Sequence, residues 1–283
     1  SKPIPMRVVS VKARQLQLPV LLRNEVNPVV DVQVEVEGSL DPLTLTKLTA
    51  LQLGGANVVS TLAVDVWATG TNATLPAQDI ETMLKRASRF DNDKSVRLWF
   101  NGKQKLESGV NHFFLSARLP DDIDIDKRVH LDPGTVTIGG RDFQIEMDGA
   151  SMATRFGYAV RKHNDDGVHT YRIPGLATTN KGTLIGVYDV RRRTGGDLPG
   201  DIDVAMSRST DGGRTWEPMR VIMDMGDDPA WRYDGVGDPA VLVDGNTGTI
   251  WVAGTWSHGN RSWRGSGPGL TPEETGQFML VRS

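Results

Sequence analysis

The feature that most constrains the fold is a pattern repeated in the second half of the chain. "IPGLATTNKGTLIGVYDV" (173–190) consists of an apolar run, an Asn-Lys-Gly turn and a second apolar run, and "DPAVLVDGNTGTIWVAGTW" (238–256) has the same order. Each unit opens on a residue followed by proline and reaches a glycine hairpin about eight residues later. Imperfect β repeats of this length predict propeller blades, each a four-stranded antiparallel sheet.

The first half shows a different pattern. "VVDVQVEVEG" (29–38) and "LTLTKLTALQL" (43–53) alternate apolar and polar residues, which is typical of strands with one buried face. "QDIETMLKRASRF" (78–90) is the one short helical candidate. The chain is therefore predicted to be all-β, with a jelly-roll-like β-sandwich over 1–147 and the first propeller blades over 148–283.

Composition excludes several function classes. The net charge of −3 provides no basic excess for a nucleic-acid partner. The absence of cysteine excludes disulfides, thiolate metal sites and a cysteine nucleophile. No apolar run approaches the roughly 18 residues of a membrane span, and the start "SKPIPMRVVS" lacks the regions of a signal peptide. The histidines are scattered, so no metal is predicted at any of them: His163, His169 and His258.

An acidic run in "LPDDIDIDKRVH" (119–130) has two interpretations. Four aspartates could hold a hard cation, but the run has neither the glycine nor the closing glutamate of an EF-hand loop. The alternative is the solvated face of an edge strand, with Ile123 and Ile125 pointing inward.

The stretch "SRSTDGGRTW" (207–216) has the form S-x-D-x-G-x-T-W. Its Ser and Asp side chains can accept hydrogen bonds from turn N–H groups, and its glycines can take a positive φ. Trp216 can pack beneath the hairpin. The stretch is therefore predicted to be a structural turn, and it resembles the Asp-box of sialidase-type propellers.

A more specific motif lies upstream in "HTYRIPGL" (169–176), where Tyr-Arg-Ile-Pro resembles the (F/Y)-R-I-P motif of sialidases. With the Asp-box after it, the chain resembles the N-terminal portion of a bacterial exo-α-sialidase. The resemblance implies a six-bladed propeller that hydrolyses terminal α-linked sialic acids with retention and without a cofactor. It also implies a carbohydrate-binding-module-like sandwich before the propeller, and a tyrosine nucleophile outside this chain.

Two arginines are the candidate substrate-binding cations. A planar guanidinium matches a carboxylate through two hydrogen bonds, and sialic acid carries a carboxylate on its anomeric carbon. By the resemblance Arg172 binds this carboxylate. Arg191, directly after the strand-like "LIGVYDV", matches the arginine near the sugar O4, and Asp189 is expected to support it.

The loop "RRRTGGDLPGDID" (191–203) offers three aspartates for general acid/base catalysis. Asp197 in "GGDLPG" matches the catalytic acid/base of the family. Asp201 and Asp203 are rivals, and Asp203 begins the following strand. Sialidases use tyrosine rather than a carboxylate nucleophile, because the substrate carboxylate on the reacting carbon would repel a second anion.

Asp238, before Pro239, opens the second repeat, and by the resemblance it contacts the O4 side with Arg191; a turn-capping role is the alternative. Nearby aromatic residues could pack between blades or line an N-acetyl pocket: Trp231, Tyr233, Trp251, Trp256 and Trp263.

The resemblance implies sialylated glycans as partners, with the remainder of the same propeller beyond Ser283. Ser283 itself would be the first serine of a next Asp-box. The implied location is secreted, periplasmic or cell-surface. The alternative function is a non-catalytic glycan-binding propeller that keeps the pocket but lacks the chemistry.

Overall fold

The computed structural model describes residues 3–54, 62–75, 83–92, 94–226, 235–258, 271 and 274–283. These residues form strands and one short 3₁₀ turn, with no α-helix among them, so the all-β prediction is confirmed. None of the described segments is a helix long and apolar enough to cross a membrane. The chain divides into two compact units, Ser1–Ala159 and Val160–Ser283.

The strands of the first unit are β1 (Arg7–Gln15), β2 (Val20–Leu21), β3 (Asn27–Glu37), β4 (Thr44–Leu53), β5 (Ala63–Gly70), β6 (Met83–Asn92), β7 (Ser95–Lys105), β8 (Gly109–Arg118), β9 (Arg128–Ile138), β10 (Arg141–Gln144), β11 (Glu146–Met147) and β12 (Thr154–Gly157). Those of the second are β13 (Thr170–Thr178), β14 (Leu184–Arg191), β15 (Ile202–Ser209), β16 (Arg220–Met223), β17 (Gly235–Val243), β18 (Ile250–Ser257) and β19 (Gln277–Arg282), with the 3₁₀ turn at Asp165–Gly167.

The first unit is sandwich-like. Its strands follow the order β11-β1-β3-β8-β5-β6-β7-β4-β9-β12-β2, and β10 pairs with β9. Alternate residues of these strands form one shared apolar core, which includes Val32, Val66, Leu115, Leu48, Phe100 and Val136. The predicted domain boundary near residue 148 lies between β11, which pairs with β1, and β12, which pairs with β9 and β2.

The predicted helix over 78–90 is wrong where the structure describes it. Residues from Met83 onward form β6, which pairs with β5 at its start and with β7 along the rest of its length. The backbone groups of this segment therefore bond between strands. This pairing with two strands outweighs a local helical preference that is worth only tenths of a kcal/mol per residue.

The acidic run also differs from the strand interpretation. It lies in the turns between β8 and β9, where Asp124 accepts a hydrogen bond from the Asp126 N–H at 3.0 Å. Ile123 is buried, but Ile125 is 46% exposed. The alternation of the sequence here comes from consecutive turns rather than from a strand.

The second unit contains the two predicted repeats. β13, β14, β15 and β16 form a four-stranded antiparallel sheet, and β17, β18 and β19 form a second antiparallel set. The two sets meet where Ile202 of β15 pairs in parallel with Gly235 of β17. Ser283 lies opposite Ile250, as Ser209 lies opposite Leu184 in the first repeat.

Candidate active site

One wall of the candidate site is formed by residues at a kink near the start of β13. The pairing register with β14 shifts between Arg172 and Gly175, and Ile173, which precedes Pro174, has a φ of 51°. A positive φ is unusual for a β-branched residue, and such strain concentrates at functional sites. The Arg172 side chain at this kink is 46% exposed.

The second wall is the end of β14, where Arg191 is only 2% exposed. Its Nε and Nη2 donate to Asp189 Oδ2 at 3.1 and 2.8 Å. Its Nη1 donates to the carbonyl oxygens of Gly195 and Gly196 at 3.0 and 2.8 Å. Arg191 therefore fixes the backbone of the loop that follows β14.

That loop carries Asp197, whose side chain is 51% exposed. Asp197 Oδ1 accepts hydrogen bonds from Arg191 Nη1 at 2.7 Å and from Arg172 Nη1 at 3.3 Å. The hydrogen bond from Arg191 holds the pKa of Asp197 below its ordinary value, and the charge of Arg172 acts in the same direction. In this conformation Asp197 is an ionised carboxylate shared by two cations.

The third wall comes from β17 and repeats the kink of β13. The register with β18 shifts between Gly237 and Ala240, and Asp238, before Pro239, has a φ of 55°. Gly237 therefore occupies the position of Arg172, while Asp238 occupies that of Ile173. A side chain at Gly237 would place its Cβ 3.2 Å from Asp189 Oδ1.

Asp189 connects two of these walls, the end of β14 and the kink of β17. Its carboxylate is fully buried and accepts from Arg191 on one oxygen and from the backbone N–H of Asp238 on the other, the latter at 2.9 Å. Burial raises the pKa of Asp189, and the hydrogen bonds from Arg191 and Asp238 oppose this rise. The expected support of Arg191 by Asp189 is present, and Asp189 reaches further, to the second repeat.

These residues enclose a pocket of about 220 Å³. The structure brings together all four residues predicted from the sequence for binding or catalysis. The pocket is lined by Arg172, Ile173, Asp189, Arg191, Asp197, Leu198, Ile202, Gly237 and Asp238.

The rival carboxylates do not line this pocket. Asp201 accepts from Arg193 Nε at 3.0 Å. Asp203 is buried against Arg192, whose Nη2 lies 2.6 Å from its Oδ2. Burial raises the pKa of Asp203 to about 6 even though Arg192 opposes the rise. Of the three aspartates, Asp197 alone faces the pocket.

Sequence reasoning missed the apolar and glycine members of the pocket. Gly237 could have been found by aligning the two X-Pro kinks, because it then falls opposite Arg172. Among the aromatic candidates, Trp256 is buried in the second-unit core. The guanidinium carbon of Arg282 lies over the Trp251 ring, 5.5 Å from the ring centre. The other three lie outside the described residues: Trp231, Tyr233 and Trp263.

The Asp-box stretch forms a turn with internal hydrogen bonds. Asp211 accepts from the Thr215 N–H at 2.9 Å and the Thr215 hydroxyl at 2.6 Å, and these bonds lower the pKa of Asp211. Ser209 Oγ accepts from the Gly213 N–H and donates to Asp211. Trp216 packs over Gly186, where a Cβ would lie 3.2 Å from the indole. No residue of this turn lines the pocket.

Within the described part of the chain, no group of three or more His, Asp or Glu side chains could hold a metal ion. His163 and His169 contact each other edge to face, with ring centres 4.9 Å apart. His258 contacts Trp256 in the same manner at 6.2 Å.

The known proteins that resemble the two units are described as neuraminidases or sialidases. Residues 9–142 match the family model described as the N-terminal domain of BNR-repeat neuraminidase. The chain is 41% identical over 189 residues to a sialidase of Bacteroides fragilis (strain YCH46), which covers 64% of this chain. This chain is a relative of the sialidases.

Two other sialidases are also similar to this chain. A sialidase of Micromonospora viridifaciens is 41% identical over 109 residues, covering 38% of this chain and 16% of that protein. The solved structure of a Hadza microbial sialidase superposes with a TM-score of 0.76 at 33% identity, over 96% of this chain. The chain spans 35% of the length of the Bacteroides protein and 57% of the Hadza structure.

Proposed function

We propose that this chain supplies the substrate-binding arginine and the acid/base of an exo-α-sialidase that removes terminal α-linked sialic acids from glycoconjugates. The observation that carries the proposal is the convergence of Arg172, Arg191, Asp197 and Asp238 on one pocket of about 220 Å³. The sialidase relatives support the substrate class, sialylated glycans. They also favour a location outside the cytoplasm.

Arg172 is the cation best placed for the substrate carboxylate. Its guanidinium is half-exposed and holds Asp197 through a single 3.3 Å hydrogen bond. A planar carboxylate could replace this contact with two parallel hydrogen bonds. Arg191 is buried and occupied by Asp189 and the loop, so its first task is to position Asp197. Contact of Arg191 and Asp238 with the O4 side of the sugar remains a prediction.

The charges in the pocket explain how substrate binding could change the protonation state of Asp197. Two guanidinium groups line the pocket with three carboxylates, so its formal charge is negative when all are ionised. An anionic substrate that takes Arg172 from Asp197 removes a cation and adds an anion, and both changes favour the protonated acid. Substrate binding should therefore favour protonation of Asp197, which can then donate this proton to the leaving-group oxygen.

The nucleophile is proposed to be a tyrosine outside this chain, acting with retention. The tyrosines beside the site are unsuited to this role: Tyr171 donates to the Asp165 carbonyl at 2.9 Å, and Tyr188 bonds to Ser207 at 2.8 Å. Burial raises the pKa of both phenols, which disfavours the phenolate. Neither lines the pocket.

The test is turnover of a fluorogenic α-sialoside by the native protein that carries these residues. Replacing a general acid/base typically costs about 10²–10⁴-fold in rate, so we expect Asp197→Asn to lose at least about 100-fold in kcat. Asp201→Asn, on the same loop but outside the pocket, is the matched control and should retain activity. Equal activity of Asp197→Asn and wild type would refute the assignment. Sialoside binding without any turnover would favour the non-catalytic alternative.

A further inference from the structure

Asp189 is a buried charge whose position needs an explanation. Its carboxylate lies on β14 with 0% exposure. Burying a carboxylate is unfavourable unless partners compensate, and a protein with an apolar residue in its place is often no less stable. Stability of the sheet alone therefore gives little reason for this residue, so its contacts are the place to look for a role.

Those contacts connect β14 to β17, which are not neighbours in the strand order of the described sheet. Asp189 Oδ2 accepts both hydrogen bonds of the Arg191 guanidinium edge, at 3.1 and 2.8 Å. Asp189 Oδ1 accepts from the Asp238 N–H of β17 at 2.9 Å. One side chain thus links the arginine that holds Asp197 to the kink that presents Asp238.

The backbone of β17 is shaped around this carboxylate. Asp238 is held at a φ of 55°, a conformation that is unfavourable for most residues other than glycine. Gly237 leaves the space that the carboxylate occupies, since a Cβ there would approach Asp189 Oδ1 to 3.2 Å. Both features make sense if the Asp189–Asp238 contact is needed.

We propose that Asp189 is a positioning residue that sets the pocket geometry by coupling Arg191, and through it Asp197, to Asp238 on the neighbouring repeat. The inference rests on the proposed function for its catalytic consequence. Its structural part stands on the contacts alone. Misplacement of a catalytic group by about 1 Å can cost about 100-fold in rate, so the loss should appear mainly in kcat.

Three variants separate the two halves of the coupling. Asp189→Asn keeps an oxygen for the Asp238 N–H but loses the charge that pairs with Arg191. Asp189→Ala loses both contacts. Gly237→Ala removes no polar group and instead presses a methyl group against the carboxylate. Asp203→Asn is the matched control, because it changes another buried Asp–Arg pair that lies outside the pocket.

Two measurements on the native protein test the coupling. Amide hydrogen exchange of Asp238 should be protected in wild type and in Asp189→Asn, and should accelerate at least about tenfold in Asp189→Ala. The kcat for a fluorogenic sialoside should fall about tenfold in Asp189→Asn and about 100-fold in Asp189→Ala. Gly237→Ala should lower kcat, and Asp203→Asn should leave it within about twofold of wild type.

The outcomes distinguish this inference from the proposed function. Full activity in Asp189→Ala with a lost Asp238 hydrogen bond would overturn the positioning role while leaving sialidase function intact. A protein without turnover would defeat the proposed function, and the Asp238 exchange rates would then decide the coupling alone. Unchanged Asp238 exchange in Asp189→Ala would overturn it in either case.

Discussion

Asp203, near the start of β15, offers a quantitative test of how burial changes the pKa of a carboxylate beside the loop that carries Asp197. Its carboxylate is 4% exposed and pairs with Arg192. Burial raises its pKa from 3.8 to about 6. Because the folded-state pKa lies above the unfolded-state pKa, the folded protein binds this proton more tightly. The stabilisation is therefore complete at low pH and is lost as the pH rises from about 4 through about 6.

The magnitude follows from the two pKa values. The gap between 3.8 and about 6 corresponds to about 3 kcal/mol over the full titration. Between about pH 4.5 and about pH 7.5 the loss from this group is about 2 kcal/mol. Asp203→Asn cannot titrate, so the free energy of unfolding of wild type minus that of the variant should fall by about this amount as the pH rises.

Equilibrium urea unfolding followed by tryptophan fluorescence measures this difference. Five of the seven tryptophans lie from Trp216 onward, so the signal reports mainly on the second unit. Only the change with pH is compared, because a constant offset between the proteins reflects the lost Arg192 contact. Arg192→Gln removes the group that opposes burial and should move the Asp203 titration to higher pH. A difference that stays constant, or that widens as the pH rises, would refute the reasoning.

Two further predictions concern stability. Asp211→Ala removes the acceptor of both Thr215 hydrogen bonds, so the Asp-box turn should loosen; we expect a lower melting temperature and a red-shifted Trp216 emission, and an unchanged spectrum would contradict this. Leu98→Ala in the first-unit core, where Leu98 is 1% exposed, should cost about 2–5 kcal/mol. Urea unfolding of that variant checks the value, and a loss below about 1 kcal/mol would mean that the core collapses around the gap.

The hairpins of the second unit could be predicted because their signals are local. Gly182 and Gly248 take φ values of 80° and 76° at the two turns, which glycine adopts without steric cost. Asp244 caps the second turn by accepting from the Thr247 hydroxyl at 2.6 Å. Each of these interactions joins residues only a few positions apart, so the residue types alone predict the turn.

The candidate site was predictable only where a motif fixed the position of a residue. Arg172 and Asp197 lie 25 residues apart, and their contact depends on the pairing of β13 with β14 and on the loop that Arg191 holds. The reach of Asp189 to Asp238 spans 49 residues and two repeats. No local pattern carries such a contact. The prediction of a helix over 78–90 was wrong for the same reason, because the strand β6 is stabilised by pairing with other strands, which no local pattern shows.

The two kinks before proline have a consequence for how such a pocket can change. Ile173 and Asp238 occupy equivalent places, with φ values of 51° and 55°, although one is apolar and the other charged. In each repeat the residue before proline lines the pocket, and an apolar and a charged side chain occupy this place with nearly the same φ. Recognition can therefore be changed by substitution at these places rather than by refolding, which makes positions 173 and 238 natural starting points for redesigning specificity.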